Sequence, residues 1–401
     1  MQRRTLLAGA ALVAVAGCLE NDNGTTDDDD GSSGEDLPEL AGTFDDFEDL
    51  SRWQILEGEV SADTDRSAVG TQSAVTTLSG TGEALSLSLS PDDPIDVTSV
   101  VPGLAVEGSR TTIPWIRLVD DSGSVATYRR AIAGGIPIQR VNFGVDTTEE
   151  AFDETTVSEI RVQILGGDTP LTAWMDDLHF VPRPATGKVM IQFDDCHETD
   201  YTKALPRLED HDIPAATFVN PEYIERGTVA GDSRLSVEQC EALDAAGWTV
   251  ANHTWSHERL PDLDRSGQRE EILEGKHWLE DHGFEEGARY FAYPFGDHDA
   301  TSVELVADHQ DLSFHGGYPA SGHTANTELA PRIGEPSSEE ITDILDTTAE
   351  HGGITSIFYH RLEDEEQLAD FTAMLDHLVP MLDNGDLEIV LPQDIEDRYL
   401  F

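Results

Sequence analysis

The sequence predicts two domains of different class: an antiparallel β-sandwich over residues 41–183, then an α/β domain over 187–401 built on a parallel sheet or barrel. Three observations predict this. The 401 residues are too many for one ordinary core. Apolar and polar residues alternate with period two in the first part, whereas short apolar runs alternate with helix-length stretches in the second. The junction Val181-Pro182-Arg183-Pro184-Ala185-Thr186-Gly187 carries two prolines that stop a strand.

Taken in order, the chain opens on a targeting segment. Arg3-Arg4-Thr5-Leu6-Leu7 is a twin-arginine pattern, and the apolar run that follows ends at Gly17, too short to span a bilayer. Val15-Ala16-Gly17-Cys18 resembles a lipobox, so residues 1–17 are expected to be a twin-arginine lipoprotein signal peptide, with a lipid on Cys18. That lipid would be the only membrane contact, at the outer face of the cytoplasmic membrane. Residues 18–40 are rich in Asp, Gly, Ser and Thr and read as an acidic flexible stalk. Asn23-Gly24-Thr25 within it is a glycosylation sequon.

The first domain is predicted from strict alternation in Ala84–Leu89, and from similar runs at Trp115–Val119 and Ile160–Ile164, separated by Gly, Asp and Ser clusters. Phe44-Asp45-Asp46-Phe47-Glu48 and Trp174-Met175-Asp176-Asp177-Leu178 look like the first and last strands of a jelly-roll module, a type that often binds carbohydrate. Asp176 or Asp177 could ligate calcium, but a solvated, turn-facing acid is the preferred reading. In the second domain, strands are expected at Val189–Phe193, Ala215–Val219, Trp248–Ala251, Tyr290–Ala292, Thr355–Tyr359 and Leu387–Val390. Ser236-Val237-Glu238-Gln239 opens a helix with a capping box and Gly247 closes it. A long helix runs from about Gln268 to His282, and Ser337 to Glu340 caps another.

Charge narrows the function. With 24 basic and 80 acidic residues the formal net charge is −56, and only Lys188, Lys203 and Lys276 are lysines. Such a chain lacks the basic surface that nucleic acid requires. The aromatic and β-branched periodic segments argue for a folded protein with a solvated acidic surface, as in extreme halophiles. Beyond Cys18 the cysteines are Cys196 and Cys240, which form either one disulfide or two separate buried thiols.

Three clusters carry the chemistry: Phe193-Asp194-Asp195, His253-Thr254-Trp255-Ser256-His257 and Tyr293-Pro294-Phe295-Gly296. One carboxylate with two imidazoles can hold a catalytic metal and leave positions open for water and substrate. The neighbouring Asp194 is then free to act as a base. These clusters and His360 all follow predicted strands, the end where α/β barrels place their chemistry.

On these residues the segment from about 187 to 401 resembles the polysaccharide deacetylases, the NodB-homology group of carbohydrate esterase family 4. Phe193-Asp194-Asp195 is similar to their T-F-D-D motif with Gln192 in place of Thr, His253 to His257 matches H-[ST]-x-x-H, and Pro294-Phe295-Gly296 matches P-[YF]-G. Ile357-Phe358-Tyr359-His360 resembles the late motif with the acid histidine, and Ile213 to Val219 the family's second strand. The resemblance implies a distorted, incomplete (β/α) barrel. It implies a divalent metal, zinc by expectation, on Asp195, His253 and His257. It also implies Asp194 as general base, an oxyanion-binding backbone N–H near Phe295, and His360 as the acid that protonates the departing amine. The substrate would be an acetylated polysaccharide. Two positions depart from the pattern. Ala292 stands where many members have the arginine that pairs with the base, and Arg332, in Ala330-Pro331-Arg332-Ile333, is the candidate replacement. Cys196 stands where Gly is usual, and is expected to fill space rather than touch the metal. A cell-surface glycan-binding protein with a weakened barrel and an O-acetyl esterase are the competing readings.

Overall fold

The computed structural model describes residues 37–318 and 320–401. The twin-arginine segment, Cys18, the sequon and most of the stalk lie outside the described residues. Among the described residues no helix is long and apolar enough to cross a membrane.

The first half forms two antiparallel sheets. One sheet orders Ser61–Asp63, Ser73–Leu78, Leu171–Pro182, Val100–Gly108 and Gln139–Asn142 side by side, with Gly42–Asp45 also paired to Leu171–Pro182. The other orders Gly144–Thr148, Val125–Arg129, Trp115–Asp120, Val157–Leu165, Ala84–Leu89 and Gln54–Glu57. The three most regular alternating runs are therefore neighbours, with Val162 opposite both Leu87 and Ile116. Period-two patterning sends Leu85, Leu87, Ile116, Leu118, Ile160 and Val162 into one buried cluster with Leu104, Ala173 and Met175 of the facing sheet.

The reading of Asp176 and Asp177 as solvated acids is corrected. Both are fully buried. Asp176 accepts from the backbone N–H groups of Ala68 (2.6 Å) and Val69 (3.0 Å), and Asp177 accepts from the Thr43 hydroxyl (2.7 Å) and pairs with Arg140. These partners sit far away in sequence, so the pairing is invisible to a local reading.

The second half is a ring of seven parallel strands: β1 (Gly187–Asp194), β2 (Ala216–Val219), β3 (Thr249–Asn252), β4 (Tyr290–Ala292), β5 (Leu312–Gly316), β6 (Ala330–Gly334) and β7 (Gly353–Tyr359). There is one strand fewer than in an eight-stranded barrel, yet the ring closes, because β7 pairs with β1 from Lys188↔Ile354 to Phe193↔Tyr359. Alternate residues point inward. Met190, Ala216, Phe218, Ala251, Ala292, Leu312, Phe314, Ala330 and Ile354 form the inner cluster, where four alanines suit a narrow ring. The other faces of the strands pack against helices such as Val237–Ala245, Arg265–Asp281 and Glu365–Asn384. Ser236 and Ser337 make the expected capping boxes. Two ring strands, β5 and β6, were not anticipated. The run predicted at Leu387–Val390 lies outside the ring, with Leu387–Ile389 paired to the start of β1.

Candidate metal centre

The ring brings the three clusters to one mouth. Asp194 is the last residue of β1, His253 follows β3 directly, and Tyr293 follows β4. His253-Thr254-Trp255-Ser256-His257 is a loop, not a helix, and the long helix behind it fixes its shape. The Glu271 carboxylate accepts from the Ser256 N–H (2.9 Å) and hydroxyl (2.6 Å), and the Glu271 carbonyl accepts from the Trp255 N–H (3.0 Å). Gly275 lets that helix approach: a Cβ there would lie 2.2 Å from Asn252 Oδ1. That oxygen in turn accepts from the Thr254 N–H at 3.0 Å.

Asp195, His253 and His257 each offer one ligand atom, and these atoms lie within 4.8 Å of one another. His257 Nε2 is 3.1 Å and His253 Nε2 3.5 Å from Asp195 Oδ1. Asp195 Oδ1 is buried and has no hydrogen-bond partner. A buried carboxylate oxygen between two imidazoles without a donor is costly unless a cation completes it, so the donor set fits a divalent metal. His253 Nδ1 faces the Ala292 carbonyl at 2.7 Å, which places its proton there and leaves Nε2 free to ligate. Burial pushes the His253 imidazole down to about 4, against the pull of Asp194, so it is neutral at pH 7, as a ligand must be. Burial lowers His257 as well.

Arg332 reaches Asp194 from β6, two residues beyond the inward-facing Ala330. It is 2% exposed, and its two terminal nitrogens bond the two carboxylate oxygens at 2.8 and 2.6 Å. Nη1 also donates to Gln192 Oε1 at 3.1 Å. Burial raises the Asp194 carboxyl, but Arg332 and then His253 outweigh it and hold it at about 2. Ala292, where an arginine would otherwise stand, is an inner-core residue.

His360 follows β7 and is half-exposed. Its Nδ1 lies 3.2 Å from Glu335 Oε1, and burial, which lowers its pKa, is outweighed by Glu335, Asp194 and Asp195, so the imidazole is raised. Glu335 follows β6 directly and was missed by sequence reasoning. Its only signal was a position at the end of a strand that had itself gone unrecognised. Phe295 has φ +60°, and its ring, 55% exposed, sits 4.5 Å from the His257 ring. Ten described non-glycine residues have positive φ, and six of them (Asp195, Cys196, Thr254, His257, Phe295 and Glu335) surround this centre. Strain concentrated in this way marks a site over-determined for function. Cys196 and Cys240 are separate buried thiols. Cys196 Sγ faces the Asn220 carbonyl at 3.7 Å and packs in the outer core.

Residues 182–310 match the family model for polysaccharide deacetylase. Asp194, Asp195, His253, His257 and Phe295 fall within this matched segment; Arg332, Glu335 and His360 lie beyond it. The chain is 32% identical over 128 residues to a chitooligosaccharide deacetylase of Sinorhizobium fredii, covering 30% of this chain and 54% of that protein. It is 28% identical over 117 residues to a poly-β-1,6-N-acetyl-D-glucosamine N-deacetylase of Staphylococcus epidermidis, covering 27% of this chain and 40% of that protein. The chain therefore spans about half the length, or less, of these relatives. Among solved structures, a family 4 carbohydrate esterase from Streptomyces lividans in complex with acetate superposes with a TM-score of 0.35, at 18% identity, over 51% of this chain and 92% of that one.

Proposed function

We propose that this protein is a metal-dependent hydrolase that removes N-acetyl groups from an acetylated polysaccharide. The observation that carries the reading is the unpartnered Asp195 oxygen between His253 and His257, beside an ionised Asp194 clamped by Arg332. A divalent ion, zinc in this proposal, would be held by Asp195, His253 and His257 and would supply Lewis-acid activation of a water and of the acyl oxygen.

The chain's own residues do the rest. Asp194 starts ionised across the working pH range and accepts the proton of the attacking water. The water oxygen bonds to the acyl carbon and the carbon–nitrogen bond breaks. His360, oriented through Nδ1 by Glu335, gives its proton from Nε2 to the departing amine. The strained Phe295 backbone supplies the N–H for the oxyanion, and its exposed ring is a face for a sugar. Acetate and a free amino sugar result.

In the same proposal the sandwich is a jelly-roll-like, carbohydrate-binding module, the protein is exported and lipid-anchored through Cys18, and the charge of −56 suits molar salt. The test is acetate release from N-acetylated amino-sugar oligomers in molar salt, with His253→Ala as control. Release by the wild type and not by the control supports the reading. Turnover of O-acetyl esters alone would make the protein an esterase. No release from either, with metal bound, would leave a glycan-binding protein.

A further inference from the structure

We propose that Arg130, a residue of the sandwich, is a positioning residue for the barrel's chemistry: it crosses the junction and holds both the Pro294–His298 loop and the approach to Arg332. The kinetic arm of this inference rests on the deacetylase reading; the structural arm does not.

Arg130 follows the sandwich strand Val125–Arg129 and is 8% exposed. One terminal nitrogen, Nη2, donates both to the Leu329 carbonyl (3.1 Å) and to His315 Nε2 (3.2 Å). Burial lowers its pKa to about 10, so it remains a cation at neutral pH and a buried charge with a desolvation cost. Burial and then Arg130 push His315 well down, so that imidazole is neutral and Nε2 is an acceptor.

Both contacts lead to the centre. Leu329 immediately precedes β6, and Arg332 is three residues on. His315 is on the outward face of β5, and its ring lies 5.2 Å from that of His298. His298 Nδ1 faces the Gly296 carbonyl at 3.0 Å, so it donates there, to the residue after Phe295. The His298 ring also lies 5.5 Å from that of Tyr293, which opens the same loop. Gly296 packs on Gly316, next to His315: a Cβ on Gly296 would lie 3.0 Å from the Gly316 N–H nitrogen. Arg130, His298, His315 and Leu329 line one cavity of ≈ 20 Å³ together with Ile132 and Ile136 of the sandwich, room for about one water. Ile136 packs in a buried cluster with Tyr293 and Leu329. A second clamp runs parallel: Asn326 Nδ2 donates to Gln139 Oε1 (3.0 Å) and the Arg140 carbonyl (3.1 Å) of the sandwich, and Asn326 Oδ1 accepts from the Leu329 N–H (2.8 Å). The sandwich therefore does more than tether the barrel. It holds the loop with the left-handed Phe295 and the strand that delivers the clamp on Asp194.

Arg130 touches no reacting atom, so its loss should misplace groups rather than remove one, an effect of about 10²-fold for a shift near 1 Å. The experiment compares wild type, Arg130→Met, Arg130→Lys, His298→Phe and the double variant Arg130→Met/His298→Phe. It reads kcat and KM on N-acetylated oligomers, bound metal, and hydrogen exchange of the Gly296 and Asp297 amides, which bond the Tyr293 and Pro294 carbonyls. Arg130→Met is expected to lower kcat about 10- to 100-fold with KM within about twofold and metal content unchanged, and to speed exchange at both amides. Arg130→Lys should restore most of kcat, because an ammonium can donate to both acceptors. His298→Phe, which leaves the junction's charge in place, should act in the same way, and the double variant should be no worse than the stronger single one. If Arg130→Met does not fold, His298→Phe decides alone. Unchanged kcat with unchanged exchange, a change confined to KM, or additive losses would each overturn the proposal. If the wild type releases no acetate, the deacetylase reading fails while the exchange measurement still tests Arg130.

Discussion

The molecule carries two Asp-Asp pairs, Asp176-Asp177 in the sandwich and Asp194-Asp195 in the barrel, and each has a residue with left-handed backbone (Asp177 φ +44°, Asp195 φ +68°). By residue type they are indistinguishable. In the sandwich, Asp176 takes backbone N–H groups and Asp177 takes Thr43 and Arg140, so both carboxylates are consumed by the fold. In the barrel, Arg332 clamps and orients Asp194, while Asp195 Oδ1 is buried, faces two imidazoles and has no donor. The difference teaches that a site is marked by what the fold leaves unsatisfied, not by how acidic or buried a cluster is.

That comparison can be broken or sharpened by substitution. The largest effect is expected from Asp195→Ala, which should abolish metal binding and bring acetate release to background, measured by elemental analysis and a coupled acetate assay. A variant that kept stoichiometric metal would remove Asp195 from the ligand set. Next is Arg332→Met. It leaves Asp194 buried and uncompensated, at a cost of about 3–5 kcal/mol in denaturant unfolding. Asp194 is depressed to about 2, so its contribution to stability is present above the unfolded value near 4 and is lost as pH falls toward 2. In Arg332→Met burial is left to dominate and raises the Asp194 carboxyl, so the acid-side dependence should reverse, with stability gained as Asp194 protonates on going to low pH. Asp177→Asn then tests the other half of the comparison. It should lower stability by about 1–3 kcal/mol while acetate release stays at the wild-type level; a parallel loss of activity would contradict a purely structural pair. The smallest effect is expected from Glu335→Gln. Glu335 is the leading group that raises His360 against burial. An acid must be protonated to act, so activity falls as pH rises through the His360 pKa. Without Glu335 that alkaline limb should move to lower pH, and a kcat/KM profile with an unmoved limb would separate Glu335 from His360.

Most of what positions the centre was legible because it lies at strand ends that local pattern identifies. Val189–Phe193 and Tyr290–Ala292 are apolar runs followed at once by Asp194 and by Tyr293-Pro294. What could not be read depended on neighbours distant in sequence. β6 hides behind Pro331 and the charge of Arg332, and it is a strand only because β5 and β7 pair on either side. β5 alternates Leu312 and Phe314 with Ser313 and His315, and His315 is polar because it meets Arg130 of the sandwich. Glu335 acquires its meaning only when the pairing of β6 with β7 brings their ends together. Arg332 was offered as the replacement for the arginine that the family resemblance implies beside Asp194, and it does bond that carboxylate, whereas Asp176 and Asp177 were misread because Thr43, Ala68 and Arg140 are invisible to a local reading.

The account's central claim is that Asp194 acts on a water beside a metal it does not need to hold. The most direct measurement is acetate release by Asp194→Asn, with bound metal quantified in the same sample. The predicted result is one equivalent of metal, as in the wild type, with release lower by about 10²- to 10⁴-fold. Wild-type release by a fully loaded Asp194→Asn would contradict the account.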